Sequence, residues 1–154
     1  MTQKPQYVTI GIAGETLAMP VERVREILEF QPVARLPGAP SQFLGMIDVR
    51  GQGVPVIELC QKLGFMPADD DDDTRIIVLT TEIGGEDLAI GVKVDRVYEV
   101  TTLDAEDLDA PPEAAAGWRA EFISGIGRRN GAFVTVLDLG CLFADQDMSM
   151  FAMS

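Results

Sequence analysis

Few residues in this chain could do chemistry. There is no histidine, which removes Ser-His-Asp and Cys-His triads, imidazole acid–base catalysis and most zinc sites. The two cysteines, Cys60 and Cys141, lie 81 residues apart in the apolar stretches VIELCQKLGF and LDLGCLF. They lack the C-x-x-C spacing of a redox pair and read as buried structural thiols. Carboxylates are abundant, but most fall in turns and connecting segments, where they stay solvated near their reference pKa. Glu58 and Asp138 end two similar strands and are the one candidate acid–base pair. They read more simply as acids at helix N-termini, favoured by the dipole. The run Asp69–Asp73 lacks the alternating ligands, central glycine and closing glutamate of a calcium loop, and reads as a solvated, self-repelling segment. GIGRRNG is a hairpin rather than a phosphate loop. What remains is Arg50, beside Gly51 between apolar strands. It is either a surface charge or a fork reaching a carboxylate or carbonyl. These residues exclude the common catalytic sets and leave binding, with no cofactor expected.

The bulk properties agree. Twelve basic against 25 acidic side chains give a net charge of -13. Nucleic-acid binding and adhesion to an anionic membrane both need clustered Lys and Arg, so neither is expected. At 47% hydrophobic and 24% charged, the composition is that of a globular domain, not a disordered acidic chain. No apolar run approaches 18 residues, and the N-terminus lacks the apolar core of a signal peptide. The expected location is the cytoplasm.

The elements that position these residues come in two copies. GETLAMPVERVREI (14–27) lies over GEDLAIGVKVDRVYEV (85–100), with an insertion at Lys93-Val94 in the second. FLGMIDVRGQGVPVIEL (43–59) lies over FISGIGRRNGAFVTVLDL (122–139), matching Gly45 to Gly125 and Gly51 to Gly131. Alternating residues in YVTIGIA predict a strand, and the glycines predict hairpins around residues 13–14, 50–53, 84–85 and 130–131. Val21, Val24, Ile27 and Leu28 share one face of a helix, so the stretch after Pro20 is expected to be helical. LCQKLGF and LGCLF each predict one helical turn. Short strands and repeated hairpins point to an all-β chain of two small packed barrels. Within one domain over 1–154, the halves are expected at 6–66 and 75–143. The linker is then 67–74, with a mobile, methionine-rich tail at 144–154. A groove between barrels would accept an amphipathic helix. A ligand-sensing barrel is the rival reading.

At this level of detail the motifs VREI, ARLPGAPSQFLGMIDVRGQGVPVIEL, GVKVDRVYEV, PPE and FISGIGRRNGAFVTVLDL resemble the chemotaxis coupling protein CheW family, from about Gln6 to Phe143. The resemblance implies two five-stranded, SH3-like β-barrels and no catalysis. It implies an adaptor joining the cytoplasmic tips of chemoreceptors to the histidine kinase CheA, whose regulatory domain is a similar double barrel. Adaptor and kinase can then alternate in rings, and further adaptor copies can join them. A CheW-like adaptor of another chemosensory pathway is the nearest alternative.

The resemblance places receptor binding at Val24, Glu26 and Ile27 of the V-x-E-I segment, at Arg50 and Gly51 of the hairpin, and at Val33, Gly45 and Val97 in the groove between barrels. It favours a functional Arg50. Val24 and Ile27 remain equally readable as core. Kinase binding falls to Val21 with Leu44 nearby, and to a second contact in the loop around PPE. There the family pattern has a basic or polar residue and a phenylalanine where this chain has Asp109 and Ala114. Loss of an aromatic anchor weakens the expectation of that second contact, with Trp118 as the candidate replacement.

Overall fold

The computed structural model describes residues 4–39, 42–67, 69–83, 85–110 and 122–143. Among the described residues, ten strands and two short helices follow one another as β1 (Tyr7–Ile12), β2 (Glu15–Pro20), β3 (Val24–Glu29), β4 (Phe43–Val49), β5 (Gln52–Glu58), α1 (Leu59–Lys62), β6 (Arg75–Ile83), β7 (Glu86–Val94), β8 (Arg96–Thr101), β9 (Ile123–Arg129), β10 (Ala132–Leu137) and α2 (Leu139–Leu142). The expected hairpins and the helical turns after β5 and β10 are all present. The edge strands β3 and β4 alternate more and less buried side chains, whereas β1, β2 and β7 carry continuous buried runs, as strands covered on both faces do.

The strands form two five-stranded sheets, ordered β8-β1-β2-β10-β9 (sheet A) and β3-β6-β7-β5-β4 (sheet B). Replacing each strand of the first copy by its counterpart five places on turns one order into the other. The internal repeat therefore holds at the level of topology. The sheets do not follow the sequence halves 6–66 and 75–143, however. Sheet A joins the β1–β2 hairpin of the first copy to β8, β9 and β10 of the second. Sheet B joins the β6–β7 hairpin of the second copy to β3, β4 and β5 of the first.

The exchange also fixes where the chain passes from one sheet to the other. Residues 67–74 connect α1 to β6 inside sheet B. The chain changes sheet at a 3-10 turn, Val21–Arg23, and at the single residue Asp95. Both crossings are pinned. Val21 N–H donates to Gln6 C=O at 3.0 Å and Asp95 N–H to Gly11 C=O at 3.1 Å. The Asp95 carboxylate accepts from Ala13 N–H at 2.8 Å. With β7 already flanked by β6 and β5, one residue leaves β8 no free edge in sheet B, so it pairs with β1.

The expected helix over Val21–Leu28 is instead the 3-10 turn and edge strand β3. The sequence Val-Arg-Glu-Ile-Leu-Glu satisfies both periods. As a strand it half-buries Val24, Glu26 and Leu28 and leaves Arg25, Ile27 and Glu29 exposed. Pairing with β6, Val24 opposite Leu79 through Glu29 opposite Arg75, decides between them, because tertiary context outweighs local propensity.

The largest core lies between the sheets. Val8, Ile10, Ile12, Leu17 and Met19 of sheet A meet Ile57, Ile77, Leu79, Ile90 and Val92 of sheet B, with Leu59, Leu139 and Phe143 from the helical turns. Each sheet also has a small core of its own, around Val134 and Val136 in A and around Val54, Val56 and Ile76 in B. Cys60 is buried in the main core, its thiol pushed up to about 11 mainly by burial. Cys141 is exposed, contrary to expectation, because it faces out from the one turn of α2. No disulfide joins the two.

Each barrel closes where a following segment crosses its edge strand. Ala34 exchanges two backbone hydrogen bonds with Met46, at 2.9 and 2.8 Å, and Asp109 does the same with Ile126, at 2.9 and 2.8 Å. The residue before each partner is the matched glycine. A Cβ on Gly45, whose φ is +147°, would sit 2.1 Å from Ala34 O, and one on Gly125 would sit 2.6 Å from Leu108 Cβ. Gly45→Ala should therefore lower stability by roughly 3 kcal/mol or more, as an overpacked and strained site does. Gly14→Ala, at a positive φ with open space around it, should cost about 1–2 kcal/mol. Urea denaturation of the two variants measures the difference.

Candidate functional site

The β4–β5 hairpin pairs Val49 with Gln52 and leaves Arg50-Gly51 as a two-residue turn. Both residues have positive φ, 52° and 86°, the geometry whose twist matches the flanking strands. The Asp48 carboxylate braces the turn by accepting from Gly51 N–H at 2.7 Å. In the second copy the same position is Asn130, also at φ 52°. Asp104 braces that turn, accepting from Asn130 and Gly131 N–H at 2.9 Å each. Those two donors hold the Asp104 carboxyl below its usual range. Asn-Gly suits such a turn, whereas a long side chain in the left-handed region is uncommon. Arg50 occupies the position despite its backbone preference.

The guanidinium of Arg50 takes both oxygens of Glu26. Nη1 donates to Oε1 at 3.0 Å, and Nη2 donates to Oε2. The hydrogen bond from Arg50 holds the Glu26 carboxyl below its usual value. Glu26 stands on β3 and Arg50 at the end of β4, opposite edges of sheet B, so this fork spans the seam at which the barrel closes. Sheet A carries the counterpart, Arg129 Nε donating to Glu99 Oε1 at 3.2 Å between β9 and β8. Ile27, beside Glu26, is 40% exposed. The result is an exposed, pre-oriented cation at one end of the seam, with an exposed aliphatic side chain on the alternate face of edge strand β3, features suited to recognising a partner.

Of the residues expected at this surface, Glu26, Arg50 and Gly51 come together; Ile27 is exposed on the same strand but faces away from Glu26. Val24, on the same strand, is half-buried against the core between the sheets, and so is Val97 on β8. Val33 packs on the small core of sheet B, and Gly45 is buried beneath Val33 and Ala34. Val33 and Gly45 thus lie where the closing segment crosses β4, and Val24 and Val97 lie against the core between the sheets. Val21 is half-buried against the main core, and Leu44 is half-buried on the core of sheet B. Asp109 is exposed and holds its backbone to Ile126. Ala114, Trp118 and the 144–154 tail lie outside the described residues.

The carboxylates at the strand ends part company. Asp138 caps α2, accepting from Cys141 N–H at 3.0 Å. Glu58 makes no side-chain cap. It is buried and accepts from Lys93 Nζ at 3.0 Å. Burial pushes the Glu58 carboxyl up, and Lys93 pulls it part of the way back. Lys93 also pairs with Asp70 of the aspartate run. Burial alone would lower the Lys93 pKa, but its two carboxylate partners raise it above the usual lysine value. The sequence pointed to this cluster only through the Lys93-Val94 insertion in the second copy. The run is thus not simply solvated. Asp70 reaches Lys93, Asp71 accepts from Asp73 N–H at 2.8 Å, and Asp73 lies 3.5 Å from Arg96.

These features define a double-barrel interaction module. Its relatives carry the identification further. The family model described as CheW-like domain matches residues 6–147. The chain is 27% identical over 147 residues to a chemotaxis protein CheW of Treponema pallidum, covering 96% of this chain and 86% of that protein. It is 30% identical over 126 residues to protein FrzA of Myxococcus xanthus, covering 82% and 76%. The crystal structure of the scaffolding protein TtCheW from Thermoanaerobacter tengcongensis superposes with a TM-score of 0.83 at 26% identity, covering 98% of this chain and 95% of that one. The chain belongs to the CheW family of chemotaxis scaffold proteins, and its fold is the family's pair of five-stranded, SH3-like barrels. Among the described residues no helix is long and apolar enough to cross a membrane.

Arg50→Asn tests what the turn is for. Asparagine fits the turn geometry, so the variant should stay folded, with an unchanged circular dichroism spectrum. In the wild type the contribution of the ion pair is whole above the ordinary Glu26 value of 4.5 and is lost as the pH falls through the lowered one. Carboxyl NMR titration should therefore place Glu26 below 4.5 in the wild type and return it towards that value in Arg50→Asn.

Proposed function

We propose that this protein is a non-catalytic adaptor coupling the cytoplasmic tips of chemoreceptors to the regulatory domain of the histidine kinase CheA, at the inner face of the membrane. The observation that carries the reading is Arg50. It is held in a left-handed backbone conformation by Asp48 and aimed by Glu26, at the turn position filled by Asn130 in the other copy. A backbone conformation that disfavours the residue, kept at an exposed turn, marks the side chain as the reason for its presence.

On this reading the receptor's helical tip docks along β3 and the β4–β5 turn. Ile27 supplies apolar contact, and Arg50 with Gly51 supplies polar contact. Glu26 orients Arg50. Val24, Val97, Val33 and Gly45 act from behind, by fixing the strands that present these groups. The kinase contact lies on sheet B near Val21 and Leu44, both half-buried, so the partner reads the surface they support. A second contact, at the loop that includes Asp109 and Ala114, would close rings of adaptor and kinase. The absence of histidine and the engagement of Glu58 and Asp138 in separate structural roles support a function without catalysis.

Titration of the labelled protein with a receptor cytoplasmic fragment and, separately, with the kinase regulatory domain tests the proposal. Arg50→Asn and Ile27→Glu should each weaken receptor binding about tenfold or more, the loss typical of an interface anchor, and leave kinase binding within about twofold. Binding of the wild type to neither partner would overturn the reading.

A further inference from the structure

Among the described residues, sheet B carries one device with no counterpart in sheet A. β7 has nine residues where β2 has six, and Lys93 lies in that extension. Its ammonium is nearly buried: it donates to Glu58 at 3.0 Å, pairs with Asp70, and lies 5.3 Å from the centre of the Phe30 ring. The side chains of Lys93 and Glu58 are 10% and 5% exposed, and that of Asp70 is 39% exposed. Glu58 and Lys93 neutralise one another inside the protein. Asp70 is the outer, wetter arm and is the one that can let go.

The remaining contacts of the aspartate segment are local or exposed. Asp71 N–H donates to Thr74 Oγ1 at 2.9 Å. Arg75 Nη1 donates to Asp72 C=O at 2.7 Å. The Asp73 partner Arg96 is half exposed. Asp70 therefore makes the segment's one ion pair with a buried group among the described residues. The segment also meets the end of β3. Glu29 and Phe30 share the walls of a cavity of about 330 Å³ with Asp71, Asp72, Thr74 and Arg75, and Glu29 pairs with Arg75 in the sheet.

We propose that Asp70 is a latch. It fastens the acidic segment to buried Lys93 and, through Phe30 and the β3–β6 pairing, holds the end of the strand that presents Glu26 and Ile27. Asp70 and Lys93 are positioning residues that act through β3. Release of the latch leaves the Glu58–Lys93 pair and the core intact, and loosens the segment together with the end of β3. The consequence for receptor docking rests on the function proposed above; the latch itself does not.

Hydrogen exchange of the full-length protein, with no partner present, tests it. Asp70→Asn should raise amide exchange in residues 69–75 and 27–30 about tenfold or more, the effect of losing one charge-assisted hydrogen bond, while exchange in β7 and the circular dichroism spectrum stay unchanged. Asp70→Glu, which restores the carboxylate, should bring protection back. Asp72→Asn removes an equal charge from the same run and should leave exchange at the wild-type level. Wild-type protection in Asp70→Asn, or equal loosening by Asp72→Asn, would overturn the latch. Because the measurement uses no receptor, it stands or falls apart from the docking assignment.

Discussion

A hairpin of two short strands cannot bury its own apolar face, and the architecture of this molecule follows from where each hairpin finds cover. β1–β2 and β6–β7 are the most apolar pairs, with Ile10, Ile12, Met19, Ile77, Leu79, Ile90 and Val92 essentially inaccessible to water. Each builds its sheet by pairing in parallel with the second hairpin of the other copy, β2 with β10 and β7 with β5. Neither copy is then complete without its neighbour. The main core between the sheets draws on both, so the two barrels form one interlocked unit.

The same exchange sets the site. A sheet of five strands leaves two edges, and here both are put to use. The segment after β3 crosses β4 through Ala34, which demands a glycine at 45. The Arg50–Glu26 fork then bridges the seam on the outside. An exposed ion pair contributes little to stability, and its second copy in Arg129–Glu99 shows that the seam tolerates different turn residues. The first copy differs in placing the arginine on the turn itself, where the backbone disfavours it and the side chain, held by Glu26, stays exposed to a partner. Backbone cost at Arg50 and exposure at Ile27 are two departures from ideal local structure on β3 and its neighbouring turn.

The net charge of -13 is distributed by role. Asp48 and Asp104 brace hairpin turns, Asp138 caps a helix, Asp95 pins a crossing, and Glu58 with Asp70 holds a buried lysine. Each accepts hydrogen bonds that would otherwise be left to water. Part of the acidity is thus structural, and the charge says little about the partner beyond disfavouring nucleic acid.

The sequence by itself determined the strands, the hairpins, the repeat and the absence of histidine chemistry, because these depend on neighbours within a few residues: alternation for strands, glycine and asparagine for turns. Family membership was equally legible, carried by motifs spread along nearly the whole chain. What it did not reveal is contact between distant segments. The stretch Val24–Glu29 reads as either helix or strand until β6 supplies its backbone partners. That Ala34 crosses Gly45, which leaves no room there for a Cβ, is evident only once the segment after β3 lies against β4. Glu58 and Asp138 match in sequence, yet one caps a helix and the other is drawn to Lys93, 35 residues away. Which copy completes which sheet was decided only in three dimensions, because a one-residue crossing at Asp95 carries no signal of its own. Its consequence depends on which strand edge is already occupied.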